Sequence, residues 1–329
     1  RKTNVFHAKT RKIVGNNHKN PINLRKNGEN AEGFVNLTKI GIEIRKPFVY
    51  NVRIAASRRS AVYWKAGPSR KEIEHTMYTA NSIRNIVLLG HSGSGKSALA
   101  ESLLYMTGAI VRMGKNADGN TVSDYDPEEI RRNISISTAV IPLEYKNVKI
   151  NLLDAPGGFD FSGAAIEALR AADAAILVCS AKDGITVGFE KAWKYCEERN
   201  MPRFIYISKV DEDNSDYNAT FEALREKYGN KIAPVVVPIW DSSRKVTGII
   251  DVVNKRAYEM ANLKRVEIEV PEGKDEVIEE FNYALMEAVA ETDEELMDKF
   301  FAEEPFTYAE MIKGMHQGVK DLSLFPVLC

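Results

Sequence analysis

Residues 90–97 read Gly-His-Ser-Gly-Ser-Gly-Lys-Ser, and no other stretch of the chain restricts its fold so tightly. An apolar run, Ile83 to Leu89, leads in, and a helical pattern, Ser97 to Met106, leads out. That flanking context separates a phosphate cradle from an ordinary glycine-rich turn. The glycines let the backbone N–H groups of His91, Ser92, Gly93, Ser94 and Gly95 curl around a phosphate, and the helix N-terminus adds its partial positive charge. Lys96 is placed to reach the outer phosphate oxygens, and the Ser97 hydroxyl to ligate Mg²⁺.

The chain beyond this loop keeps the same rhythm. Strands are predicted at Lys149 to Leu153, Ala174 to Cys179, Arg203 to Ser208 and Ala233 to Pro238. Helical patterns lie between them, at Ser162 to Ala172, Gly188 to Arg199 and Tyr217 to Tyr228. Alternation of this kind predicts βαβ units: an α/β P-loop fold with a mostly parallel sheet and helices on both faces. Such sheets bind ligands beyond the carboxyl ends of their strands, where the unusual residues of this chain fall.

Two of those strand ends carry further chemistry. Asp154-Ala155-Pro156-Gly157 follows an apolar strand; in a P-loop protein the Asp154 carboxylate serves the Mg²⁺ shell through water, and the Gly157 amide can sense a γ-phosphate. Ser208-Lys209-Val210-Asp211 ends another strand. A carboxylate at Asp211 can accept from both N1–H and the 2-amino group of guanine, a donor pair that adenine lacks. The aliphatic stem of Lys209 can cover the base.

Together these segments resemble translational GTPases, and specifically the elongation factor G family, over residues 77–329. The likeness extends to Arg132 to Ile136, to Val246-Thr247-Gly248-Ile249-Ile250-Asp251-Val252-Val253 and to Glu287-Ala288-Val289-Ala290-Glu291-Thr292-Asp293-Glu294-Glu295-Leu296. Val122-Ser123-Asp124-Tyr125-Asp126-Pro127-Glu128-Glu129-Ile130 resembles the elongation-factor-G-like side branch more than the housekeeping factor. The resemblance implies GTP or GDP with Mg²⁺ as ligands, and hydrolysis of GTP on the ribosome in translocation, rescue or protection. It implies a cytoplasmic monomer whose partners are rRNA and ribosomal proteins. Ser135 matches the switch threonine that closes on Mg²⁺ and the γ-phosphate. Lys96, Ser135 and Gly157 would then act in catalysis, Ser97, Ser135 and Asp154 at the metal, and Ser208, Lys209 and Asp211 at guanine.

The departures from the family pattern are specific. Gly158 stands where the housekeeping factor has the histidine that orients the attacking water, a function worth about 10²–10⁴ in rate. His91, beside the cradle, is the replacement the sequence offers. Asn133 replaces a switch glycine, and Ser208 replaces the asparagine that opens the base-recognition motif. The Gly158 change keeps a second reading open, a ribosome-associated GTP-binding switch with little turnover. An ATP-using P-loop enzyme is a third.

Composition bounds the rest. The 329 residues carry 45 Lys+Arg and 46 Asp+Glu, but residues 1–76 hold 17 basic against 5 acidic, leaving 28 against 41 in residues 77–329. The first 76 residues, rich in basic pairs and turn formers, read as an irregular leader, a non-native extension or an RNA-binding arm. Residues 77–238 read as the GTP-binding core and 239–319 as an inserted α+β subdomain with acidic helices. Residues 320–329 read as a last core strand cut short before a further guanine-contacting loop. No apolar run approaches the roughly 20 residues of a membrane span. Three cysteines without a CxxC pair and five scattered histidines form no metal-ligand spacing. The whole reads as soluble and intracellular.

Overall fold

The computed structural model describes residues 78–241, 245–261, 264–271 and 273–329. The segment 1–76, whose charge suggested a leader, lies outside them.

The chain alternates β1 (Ile83–Gly90), α1 (Lys96–Met106), α2 (Pro127–Arg132), β2 (Ala139–Tyr145), β3 (Val148–Asp154), α3 (Ser162–Ala171), β4 (Ala174–Ser180), α4 (Val187–Glu197), β5 (Arg203–Ser208) and α5 (Tyr217–Tyr228). After β6 (Ile232–Pro234) come β7 (Val236–Trp240), β8 (Val246–Asp251), β9 (Arg256–Ala261) and β10 (Lys264–Ile268). Helices α6 (Asp275–Ala290), α7 (Glu294–Phe301) and α8 (Tyr308–Asp321) precede the final strand, β11 (Phe325–Leu328).

Seven strands form one sheet in the order β2-β3-β1-β4-β5-β11-β6, and four form a second, β10-β9-β8-β7. In the first, only the β2–β3 pair is antiparallel; β3, β1, β4, β5, β11 and β6 run parallel. The second is antiparallel throughout. Strands buried on both faces need apolar residues at every position, which is why β1 reads as an apolar run from Ile86 to Leu89, its buried half, after the polar Arg84 and Asn85. Val87 and Leu89 enter the core beneath α3 to α6, while Leu88 enters the core beneath α1 with Ala100, Leu104 and Ile141. Successive side chains thus serve opposite faces of one sheet.

One segment differs from the sequence-based expectation. Ala233 to Pro238, predicted as a single strand, is two strands in different sheets. Val235 is the pivot: its N–H donates to the Val327 carbonyl of the parallel sheet, and its carbonyl accepts from the N–H of Val252, the residue just past β8 of the antiparallel one. Hydropathy does not show the break because both halves are buried. Strand β2, the 256–261 strand and the short helix α2 were not predicted. The β2 strand alternates buried and exposed residues, as an edge strand does, and it carries Pro142 where a central strand would not tolerate it.

Although β11 is last in the chain, it lies between β5 and β6. All of β7 to α8 is therefore inserted in sequence between β6 and β11, two strands that pair side by side. Ile278, Phe281, Leu285 and Val289 of α6 join the core that holds Phe221 and Ile232.

Candidate functional site: a phosphate cradle with its switch segments

The loop between β1 and α1 takes the shape its glycines allow. Gly95, at φ +95°, precedes α1, and a Cβ there would also press on the Ser208 side chain at 3.4 Å. The Lys96 ammonium folds back over the loop, donating to the His91 carbonyl at 2.8 Å and to the Gly90 carbonyl at 3.2 Å. Burial pushes its pKa down to about 8, against the opposing pull of Asp154 and Asp124.

At the end of β3 the Asp154 carboxyl accepts from the Ser97 hydroxyl at 2.7 Å. Burial raises its pKa to about 6, moderated by the Ser97 bond and by Lys96. Its other oxygen, Oδ1, is buried without a hydrogen-bond partner. The Ser135 hydroxyl stands 3.5 Å from that of Ser97. Residues 97, 135 and 154, assigned to the metal from sequence, are thus linked through Ser97, and one oxygen of the Asp154 carboxylate is left unsatisfied. Two hydroxyl oxygens and a carboxylate are hard donors of the kind Mg²⁺ accepts, so the residues present fit that ion.

Gly157 passes over the cradle so closely that a Cβ would lie 2.5 Å from Lys96 Nζ and 2.6 Å from the Ser92 backbone nitrogen. Only glycine permits this approach of the second loop to the first. A cleft of about 250 Å³ opens here, lined by Ser92, Gly93, Gly95, Lys96, Ser97, Ala98, Asn116, Asn133, Ile134, Ser135 and Gly157. Ser94 is buried beneath the loop.

The base-recognition segment adjoins the cradle through Ser208, whose hydroxyl donates to the Ser94 carbonyl at 2.6 Å. The serine therefore still ties the two loops, although it lacks the amide of an asparagine. Lys209 adopts φ +57° and stands 3.8 Å from Glu212 and 4.0 Å from Asp183. Asp211 is solvent-exposed.

His91 takes a different place from the one its position suggested. Its ring packs 5.7 Å from Phe159, and a Cβ on Gly188 of α4 would lie 2.7 Å from its Nδ1. The ring faces helix α4, and it is the carbonyl of His91 that meets Lys96. Asn133 occupies the left-handed cap of α2 at φ +53°. Asparagine adopts that conformation more readily than most residues, so the departure from glycine leaves the backbone path open.

Three buried carboxylates that carry no motif spacing tie down the segment 114–137 beside the cleft. Asp124 accepts from Ser135 at 2.7 Å, Asn116 at 3.0 Å and Thr121 at 3.3 Å. Glu129 accepts from the backbone of Ile136 and Ser137, and Glu101 from that of Gly114 and Val122. One signal was readable: Asp126-Pro127-Glu128-Glu129 is a capping box with proline in the first turn, and the structure forms it.

With this geometry in place, comparison with known proteins is decisive. Residues 81–320 match the family described as the elongation factor Tu GTP binding domain. The chain belongs to that family. An elongation factor G-like protein of Mycobacterium tuberculosis strain CDC 1551 / Oshkosh is 36% identical over 255 residues, covering 76% of this chain and 35% of the relative. The same description and figures hold for strain ATCC 25618 / H37Rv. A crystal structure of a Thermus thermophilus protein superposes with a TM-score of 0.70 at 40% identity, covering 75% of this chain and 37% of that one. Within the matched family, the likeness places the chain with the translation factors of the elongation factor G family. It spans about a third of the length of the curated relatives it matches. Membership implies guanine-nucleotide binding. Among the described residues no helix is long and apolar enough to cross a membrane.

Proposed function

We propose that this chain binds GTP and GDP with Mg²⁺ and hydrolyses GTP as part of an elongation-factor-G-like protein acting on the ribosome, in translocation, rescue or protection. The observation that carries the reading is the meeting of Ser97, Ser135 and Asp154, from three separated segments, beside the Lys96 cradle. The core would end at the Val235 seam rather than at residue 238, the inserted subdomain would run from β7 through α8 (236–321), and 322–329 would hold the returning core strand. The partners would be rRNA and ribosomal proteins, met in the cytoplasm by a monomer.

In this reading Lys96 and the amides of residues 91–97 hold the β- and γ-phosphates. Ser97 and Ser135 would ligate Mg²⁺, and Asp154 would hold its water shell. The bound ion would neutralise charge on the phosphate oxygens. Gly157 offers its amide to the γ-phosphate. Lys209 and Asp211 take the guanine. Water attacks the γ-phosphorus in line, and the bond to the β–γ bridging oxygen breaks, leaving GDP and phosphate.

Gly158 and the outward ring of His91 favour a second reading, a switch with little turnover of its own. No histidine is among the described residues that line the cleft. Single-turnover hydrolysis of GTP, with and without ribosomes, separates the two. Turnover stimulated by ribosomes supports the enzyme. Tight GTP binding with no hydrolysis in either condition supports the switch, and failure to bind guanine nucleotide at all refutes both.

A further inference from the structure

Ser135 is held from two sides by carboxylates of its own segment. Its side chain donates to Asp124 Oδ1 at 2.7 Å. The backbone just beyond it is tied to Glu129 Oε1, which accepts from Ile136 N–H at 2.9 Å and Ser137 N–H at 3.0 Å. Both acids are buried, Asp124 at 6% and Glu129 at 3% exposure, and neither forms an ion pair among the described residues. Their remaining oxygens are also used. Asp124 Oδ2 takes Asn116 and Thr121, and Glu129 Oε2 takes the Asp126 N–H of the capping box.

The chemistry of a hydroxyl gives this arrangement a consequence. Serine has one O–H proton and two lone pairs. With the proton committed to Asp124, the lone pairs are left for the side on which Ser97 stands, 3.5 Å away. A threonine would restrict its own χ1 through its methyl group, whereas a serine is free to turn. The carboxylate supplies externally the restriction that the missing methyl would have supplied internally.

We infer that Asp124 and Glu129 form a cradle that presets Ser135 and orders residues 133–137 before nucleotide arrives. They are positioning residues that act through Ser135. The inference rests on the proposed nucleotide site for its purpose, but the ordering itself needs no ligand. It extends that reading by making switch order in this chain partly independent of the γ-phosphate.

The test uses the 329-residue chain. Arg131 and Arg132 are exposed beside the segment and serve as trypsin sites. In nucleotide-free protein with EDTA, cleavage there is expected to be slow in the parent and about tenfold faster in Asp124→Ala and Glu129→Ala, the effect of losing a hydrogen bond to a charged group. With a fluorescent GDP or GTP analogue, Asp124→Ala should raise the Mg²⁺ concentration for half-saturation about tenfold. Adding Ser135→Thr should recover most of that loss, which general destabilisation by Asp124→Ala would not allow. Should Asp124→Ala not fold, Ser135→Ala breaks the same link, and Glu129→Gln keeps one acceptor and should be intermediate in cleavage. Parent cleavage as fast as in the variants overturns the cradle, even if the nucleotide binds well. Slow parent cleavage without any nucleotide binding leaves the cradle standing and refutes the proposed function instead.

Discussion

The Ser208 hydroxyl lies 2.6 Å from the Ser94 carbonyl, joining the end of β5 to a phosphate loop 114 residues earlier in the chain. The Cys179 carbonyl is its longer neighbour, at 3.2 Å, so the single proton goes to Ser94. Ser208→Ala removes this tie from a buried site, at a cost of about 1–2 kcal/mol. Nucleotide affinity is expected to fall by roughly tenfold, read by titration with a fluorescent GDP analogue, while the far-ultraviolet circular dichroism spectrum stays unchanged.

Asp211→Asn exchanges a double acceptor for a group that offers one acceptor and one donor. Guanine then meets a mismatched partner, and xanthine, which presents a carbonyl in place of the 2-amino group, meets a matched one. Competition binding should shift from GTP towards xanthosine triphosphate by at least tenfold. If the order of preference among nucleotides stays the same, the ATP-using reading gains and the guanine assignment is lost.

Affinity for Mg²⁺ and nucleotide should peak between pH 6 and pH 8. Phosphate favours charged Lys96, so a nucleotide raises its pKa above the free protein's value of about 8. Above that pH the free lysine is neutral and must take up a proton on binding, so affinity declines. Mg²⁺ favours ionised Asp154, and below its free value of about 6 a proton must leave on binding, so affinity again declines. Calorimetry in buffers of different ionisation heat should find proton uptake on the alkaline side and release on the acidic side.

Phe221→Ala should cost about 3–5 kcal/mol of folding stability, the range for truncating a buried aromatic. Phe221 is 1% exposed and stands 6.2 Å from the Tyr217 ring and 5.4 Å from Phe281 of the inserted helix α6. Phe301→Ala is the control: at 77% exposure it should change stability by less than about 0.5 kcal/mol. Urea denaturation of both variants measures the difference.

Most of the parallel sheet was legible because its strands carry apolar runs, such as Ile86 to Leu89 and Ala174 to Cys179, a local signal. The edge strand β2 escaped because it alternates, with Pro142 within it, and the seam at Val235 escaped because both of its sides are buried. The residues quoted at the strand ends were legible for another reason: glycine, lysine and carboxylate at fixed spacing have few structural uses besides holding phosphate and base. Asp124 and Glu129 carry no such spacing. Their importance comes from Ser135, Ile136 and Ser137 being folded onto them.

From the sequence alone came the alternation of strand and helix, the loop conformation that Gly95 makes possible and the types of chemical group at each strand end. These depend on residues within a few positions of one another, so backbone sterics and hydropathy suffice. The tertiary structure decided that Ser97 meets Asp154, that Ser208 reaches Ser94, that β11 returns between β5 and β6, and that the ring of His91 faces α4. Each of these joins positions far apart in the chain, and such contacts form only when sheet register and core packing place both partners within the short reach of a hydrogen bond or a ring contact.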